Sequence, residues 1–381
     1  MVVSSAGGFS EGACSMRDER LKKLARVLVE YSVRAGEGEQ VVVSGGAAAE
    51  PLIKEVYAKL LDVDAIPIPQ VSLPGMQELF FGHAKEHHYE ETPPVVRSMY
   101  EGADAFISIM SPQNTRALAS VDPLKQQALG KRDKALRDMI VSRDRWALTL
   151  FPTEALAQES EMGLDDYEEF VFEAMALNED DPVRFWREKA KEQQRLVERL
   201  EEADEVRITG PETDLTLSVK DRKFLNGDGS HNMPCGEIFT GPVEDSANGE
   251  VYFGIPVAVG GREVSGVRLR FEEGRVVGSS AEKGEEYLSA MLDADDGARY
   301  LGELGIGTNY GIPRATKNIL FDEKLGGTVH LAVGRSYEKT GGKNESSVHW
   351  DLICDLREGG ELYADGELLQ RDGKFSGYDF G

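Results

Sequence analysis

Between residues 18 and 31 apolar side chains recur every three to four positions, at Leu21, Leu24, Leu28 and Tyr31, the spacing of one helix face. The period then changes. "QVVVSGG" is an unbroken apolar run closed by glycines, and "EPLIKEVYAKLL" returns to helical spacing. "DAIPIPQVSL", "ADAFISIMS" and "RWALTLFP" read as further strands, each separated from the next by helix-compatible sequence. Strands alternating with helices predict a parallel sheet covered on both faces. "DPVRFWREKAKEQQRLVERLEEADE" reads as a long charged helix with an apolar stripe at Phe185, Leu196 and Leu200. Beyond it "EVRITGPETDLTLSVKDRKF" alternates with period two, and "EEGRV", "ADGEL" and "RDGKF" place acidic–glycine turns between short β runs. The pattern predicts an α/β domain with a Rossmann-like parallel sheet over residues 16–203, then a β-rich α+β domain over 204–381. Residues 1–15 read as a flexible extension, with Met16 a candidate start.

Composition narrows the function classes. The formal net charge of −25 repels phosphate backbones, and no basic cluster reverses it locally, which argues against nucleic acid as a partner. The same field favours metal ions and ammonium groups, although solubility explains it equally well. Cys14, Cys235 and Cys354 are odd in number and include no C-x-x-C pair, which argues against a disulfide framework and suits a reducing cytoplasm. No apolar run approaches the ~18 residues of a membrane span, and "MVVSSAGGFSEGACS" lacks the basic and apolar regions of a signal peptide.

Among candidate sites, "VVVSGGAAAEP" has the strand–turn–helix order of a dinucleotide cradle but not G-x-G-x-x-G, and no P-loop lysine follows. "LGIGTNYG" does not follow the expected strand, and both segments read as tight turns. "HAKEHH" spells His-x-x-Glu-His, which on a helix would put His83 and His87 on one face. A metalloprotease of that type needs a third carboxylate ligand on a neighbouring helix. The flanking "LPG" and "ETPP" favour an exposed helix segment carrying a surface histidine cluster instead.

The second half carries more chemistry, with His231, His330 and His349. If "SSVHWDLICDL" is a strand, His349 and Asp351 share a face and offer an imidazole beside a carboxylate. "GTVHLAVGRSY" sets His330 on a second strand, seven residues before Tyr337. Glu237 follows a Pro-x-Gly turn in "MPCGEIFTG", and Glu303 sits among glycines in "LGELGIG". Taken together, Glu237, Glu303, His330, His349 and Asp351 are mixed oxygen and nitrogen donors suited to one or two ions of the Zn²⁺, Co²⁺ or Mn²⁺ type. So many carboxylates favour a paired site.

These residues lie in segments that resemble a known family. "NMPCGEIFTGPVEDSANG", "GELGIGTN", "GGTVHLAVGRSYEKTGG" and "NESSVHWDLICDLR" are similar to signature blocks of the thermophilic metallo-aminopeptidases of the aminopeptidase T type. The opening "RLKKLARVLVEYSVRAGEGEQVVVSG" resembles that family's first helix and strand. The resemblance implies a homodimeric exopeptidase with two divalent ions per chain, acting on peptides with a free N-terminus. It implies Glu237, Glu303, His330, His349 and Asp351 as ligands and Tyr337 as a catalytic tyrosine. Glu303 and Glu237 are also candidates for the proton-accepting carboxylate, and Arg335 and Asn344 lie close in sequence. Cys235 departs from the acidic or polar residue common at that place, which would put an oxidisable thiol at the rim. The competing readings are a dinuclear hydrolase of another amide and a non-catalytic binding protein on the same fold.

Overall fold

The computed structural model describes residues 18–259 and 262–380, so the expectations for residues 1–15, Met16 and Cys14 lie outside the described residues. Asp18 opens the first helix, Glu19–Arg26, by accepting the Arg20 amide hydrogen, and the chain continues through a wider π-helical stretch at Val27–Ser32. Leu21, Leu24 and Leu28 are all buried, as their spacing predicts. Strands β1 (Gln40–Gly46), β2 (Ile66–Ser72), β3 (Ala105–Met110) and β4 (Trp146–Leu150) run parallel in the order β2-β1-β3-β4. Val41 and Val43 pack into the main core with Leu24, Leu52 and Val56, while Val42 turns the other way to join Ala103 and Phe106. Both faces are covered, which is why β1 reads as an unbroken apolar run. Pro67 and Pro69 are tolerated in β2 because it is the edge strand.

The chain turns β-rich at Glu205. First come β5 (Glu205–Gly210), β6 (Thr213–Ser218), β7 (Leu225–Gly227), β8 (Asn232–Met233), β9 (Glu237–Thr240) and β10 (Asn248–Phe253). The β11–β12 hairpin (Val257–Val259, Arg262–Val264) leads to β13 (Val267–Glu272), β14 (Arg275–Ser280), β15 (Leu301–Gly307) and β16 (Thr328–Gly334). Last come β17 (His349–Asp355), β18 (Glu361–Ala364), β19 (Glu367–Arg371) and β20 (Lys374–Phe375). They form two larger antiparallel sheets, ordered β14-β13-β10-β6-β5-β18-β19-β20 and β17-β16-β15-β9-β7. The predicted acidic–glycine turns are present: Glu273-Gly274, Asp365-Gly366 and Asp372-Gly373 all have positive φ at both residues, the geometry that matches strand twist.

One strand departs from this division. β8 pairs in parallel with β4, Leu148 opposite Asn232, and so adds a fifth strand to the N-terminal sheet. The main hydrophobic core runs continuously from Leu24 through Trp186 to Leu331 and Ile353. The excursion from β7 through β8 to β9 carries Asp228, Ser230 and His231 across to the start of β4, and the cleft described below opens there. Among the described residues no helix is long and apolar enough to cross a membrane.

Candidate metal centre

Four adjacent strands build the site by register. Glu303 of β15 lies opposite Ala332 of β16, which lies opposite Asp351 of β17. Gly305 faces His330, Gly307 faces Glu237 of β9, and Gly334 faces His349. Side chains two apart share a face, so Glu237, Glu303, His330, His349 and Asp351 all project from one side of this sheet. Leu304, Ile306, Leu331, Val333 and Leu352 fill the other side as core. A bulge at Gly302 shifts the register between Leu301 and Glu303 and aims the glutamate at this face.

The glycines between the chemical residues make the room. A Cβ on Gly305 would come within 1.9 Å of His330 Nε2, so the imidazole lies directly over that backbone. "GELGIG", read from sequence as turn glycines, is a strand whose small residues are gaps for the side chains of its neighbours.

His330 Nε2 sits 3.1 Å from Glu303 Oε1 and 3.6 Å from Glu237 Oε2. His349 Nε2 sits 3.5 Å from Glu303 Oε2 and 3.8 Å from Asp351 Oδ2. Two groups result, Glu237–Glu303–His330 and Glu303–His349–Asp351, each with donor atoms within 4.8 Å of one another, and Glu303 belongs to both. His349 Nδ1 lies 2.7 Å from the Arg335 carbonyl, which can only accept, so Nδ1 carries the hydrogen and Nε2 turns its lone pair to the carboxylates. Arg335 thus acts through its backbone, while Asn344 braces the same loop by donating to the Gly297 and Gly334 carbonyls. Tyr337 places its hydroxyl 3.4 Å from His349 Nε2, with its ring against Phe239.

Burial pushes the Glu237 carboxyl up to about 7 and Asp351 up to about 6, despite nearby cationic partners. Burial alone would lower His330, but Glu303 and Glu237 push it up to about 10. Crowded buried carboxylates of this kind call for a counter-cation. Asp351 Oδ1 is buried with no hydrogen-bond partner among the described residues, a free acceptor on the site face. The donor set, carboxylates and imidazoles without thiolate, fits a divalent ion of the Zn²⁺, Co²⁺ or Mn²⁺ type.

Several contributors were invisible in the linear pattern. The stripe predicted for the helix Pro182–Glu201 has a polar gap, and the buried Lys189 and Gln193 fill it. Gln193 Nε2 donates to the Glu237 carbonyl at 3.0 Å, and Lys189 Nζ donates to the carbonyls of Thr308 and Phe380. Lys324 is fully buried, 3.4 Å from Glu237 Oε1, and paired with Glu323. Burial pulls this lysine's pKa down, but Glu237 and Glu323 more than offset it and hold the ammonium well above the ordinary range. The site opens into a cavity of ≈ 530 Å³. Its opposite wall carries Trp146 and Asp144, and Asp144 pairs with His231 at 3.3 Å and Lys339 at 3.2 Å.

Two expectations hold only in part. The helix beginning at Met76 stops at His83 because Ala84 turns extended (ψ 137°), so His83 and His87 do not share a helical face. His83, His87 and His88 are exposed, and no candidate metal group among the described residues includes them. Cys235 borders the site cavity as expected, but it is only 3% exposed, and burial, followed by Glu237, pushes its thiol up to about 12, so it is not a reactive thiol.

With this geometry in place the relatives are informative. The family model for thermophilic metalloproteases (M29) matches residues 17–375. The chain is 28% identical to aminopeptidase 2 of Geobacillus stearothermophilus, over 94% of this chain and 95% of that one. Identity is 28% to aminopeptidase AmpS of Bacillus subtilis (89% and 93% covered) and 27% to aminopeptidase T of Thermus thermophilus (93% and 98%). The solved structure of wild-type AmpT from Thermus thermophilus superposes with a TM-score of 0.81 at 24% identity, over 94% of this chain and 99% of that one. A 2,5-dihydroxypyridine dioxygenase from Pseudomonas putida shares the fold more distantly, with a TM-score of 0.59 at 14% identity over 94% and 98% of the chains. Fold alone therefore does not settle the chemistry. The family model and the aminopeptidase relatives make the chain a metal-dependent hydrolase. The chain belongs to the thermophilic metalloprotease (M29) family.

Three outcomes follow from the packing. Gly305→Ala, which drives a methyl into His330, is expected to abolish tight metal retention, measured by metal analysis after dialysis against a weak chelator. Gln193→Leu removes the side-chain hydrogen bond to the Glu237 carbonyl and is expected to weaken metal affinity about 10–100-fold, read by chelator competition. At pH 8 the native Cys235 thiol is expected to resist iodoacetamide and to react only after denaturation, read by peptide mass mapping.

Proposed function

We propose that this chain is an aminopeptidase that hydrolyses the N-terminal peptide bond of peptides at a site holding two divalent ions. The observation that supports the paired site is Glu303, whose two carboxylate oxygens face different histidines, Oε1 toward His330 and Oε2 toward His349. In this reading Glu237, Glu303 and His330 hold one ion, and Glu303, His349 and Asp351 hold the other. Bound there, paired divalent cations supply an acidified water and an electrophile for a carbonyl oxygen.

The chain's own residues do the rest. A tyrosine hydroxyl ordinarily titrates at ~10, and Tyr337 places its hydroxyl beside His349 at the edge of the site. Tyr337 therefore stays protonated at neutral pH and can donate a hydrogen bond to the oxyanion of the tetrahedral intermediate. The cavity walls add Asp228 and Glu338, acidic groups that favour an approaching peptide ammonium, while Asp144 is paired with Lys339. Trp146, Phe239 and Leu225 supply apolar area for a side chain. The split near residue 203 puts every proposed ligand in the second unit. A homodimer and a cytoplasmic setting complete the reading, the first supported by the family resemblance and the second by Cys235 and Cys354 as free thiols.

Adding Co²⁺ or Zn²⁺ to metal-stripped protein is expected to restore cleavage of aminoacyl-p-nitroanilides but not of their N-acetylated forms. Tyr337→Phe is expected to keep its metal and lose kcat by about 10²–10³-fold, the scale of one oxyanion donor. Cleavage of N-acetylated substrates at the same rate as free amines would instead identify a different amidase.

A further inference from the structure

The candidate centre opens on two sides. Besides the cavity of ≈ 530 Å³ that faces Tyr337, a second cavity of ≈ 280 Å³ lies beside β17. His349 and Asp351 line both, so the two spaces meet at that half of the centre. We propose that the smaller cavity receives the side chain of the substrate's N-terminal residue and selects an apolar one. The inference rests on the aminopeptidase reading above and deepens it by naming where the first residue sits and what limits it.

Topology makes this space. β17 ends its sheet, with β16 paired to one side of it. His349, Trp350 and Asp351 all line the cavity although successive side chains of a strand point to opposite faces, so the cavity runs along the free edge. Another wall is β11, where Val257, Ala258 and Val259 form an apolar strand, and the exposed Ile319 at the start of the helix Ile319–Asp322 adds to it.

The charged side chains on these walls, apart from the two candidate ligands, are already committed. Lys317 pairs with Glu263 of β12 and with Glu161, each at 3.2 Å. Asp322 Oδ1 accepts from the Thr316 amide at 2.7 Å and the Thr316 hydroxyl at 2.9 Å. These contacts hold the β11–β12 hairpin and the turn into the helix in place. A lysine, arginine or glutamate side chain entering the cavity would lose water without gaining a partner, whereas an apolar side chain loses nothing.

Size separates the roles of the two cavities. An aminopeptidase holds one residue on one side of the scissile bond and the rest of the chain on the other. A cavity of about 150 Å³ accepts a benzene ring, so ≈ 280 Å³ takes one large side chain and no second residue. The larger cavity has room for the residues that follow. Its apolar lining at Trp146, Phe239 and Leu225 then meets the side chain after the scissile bond.

The test measures kcat/KM of Zn²⁺-loaded protein on alanyl-, leucyl- and phenylalanyl-p-nitroanilide. Ile319→Trp fills the pocket from an exposed position and is expected to lower the leucyl-to-alanyl ratio about 10–100-fold. Val259→Ala enlarges the pocket without added bulk and is expected to raise the phenylalanyl-to-leucyl ratio several-fold. Both variants are expected to bind as much zinc as wild type, since neither replaces a candidate ligand. Ratios that stay at wild-type values in both variants would overturn the proposal. So would a wild-type preference for lysyl or glutamyl over leucyl substrate, or a leucyl-to-alanyl ratio that responds to Trp146→Ala but not to Ile319→Trp. Loaded wild-type protein that cleaves no free-amine substrate would instead overturn the aminopeptidase reading on which the pocket rests.

Discussion

The whole site depends on one close approach, the His330 imidazole lying over the backbone of Gly305. Antiparallel strands sit about 5 Å apart, too close for two large side chains to lie across each other on one face unless the neighbour has none. Gly305, Gly307, Ala332 and Gly334 alternate with the chemical residues on that face, so three carboxylates and two imidazoles converge without steric conflict. The opposite face is packed with leucine, isoleucine and valine, which makes the strands rigid. Converged carboxylates in a buried setting are unfavourable by themselves. Their raised pKa values express that cost, and a divalent cation relieves it.

Much of this was legible from local pattern. The period-three-to-four and apolar segments located the first helix and four of the five parallel strands, because covered strands and amphipathic helices write their burial directly into sequence. His349 and Asp351 could be placed on one face from their spacing alone. Other parts needed the fold. Lys324 and Gln193 reach the site through contacts distant in sequence, and nothing in their neighbours distinguishes them from polar surface residues. The polar gap at Lys189 and Gln193 was the one available signal, since a buried helix face carries polar side chains only where they find partners. In "HAKEHH" the flanking turns correctly marked an exposed cluster, and only the continuous helix was not there, since it ends at His83.

The second half of the chain does not work alone. β8 crosses into the parallel sheet, and the helix Pro182–Glu201 sends two polar side chains to the backbone of the site strands. The α/β unit therefore supplies the far wall of the cleft and part of the scaffold beneath Glu237. Its role is different from that of a nucleotide-binding domain, because the cavity meets β4 at Trp146, its first residue, and not at the carboxyl ends of the strands where such ligands bind.

Anomalous diffraction from crystals of the Zn²⁺-loaded protein tests the shared role of Glu303 most directly. Two peaks are expected on the sheet face, on the order of 4 Å apart. One should lie beside Glu237 and His330, the other beside His349 and Asp351, with Glu303 between them. A single peak there, or the dominant peak at His83 and His87, would contradict the paired centre.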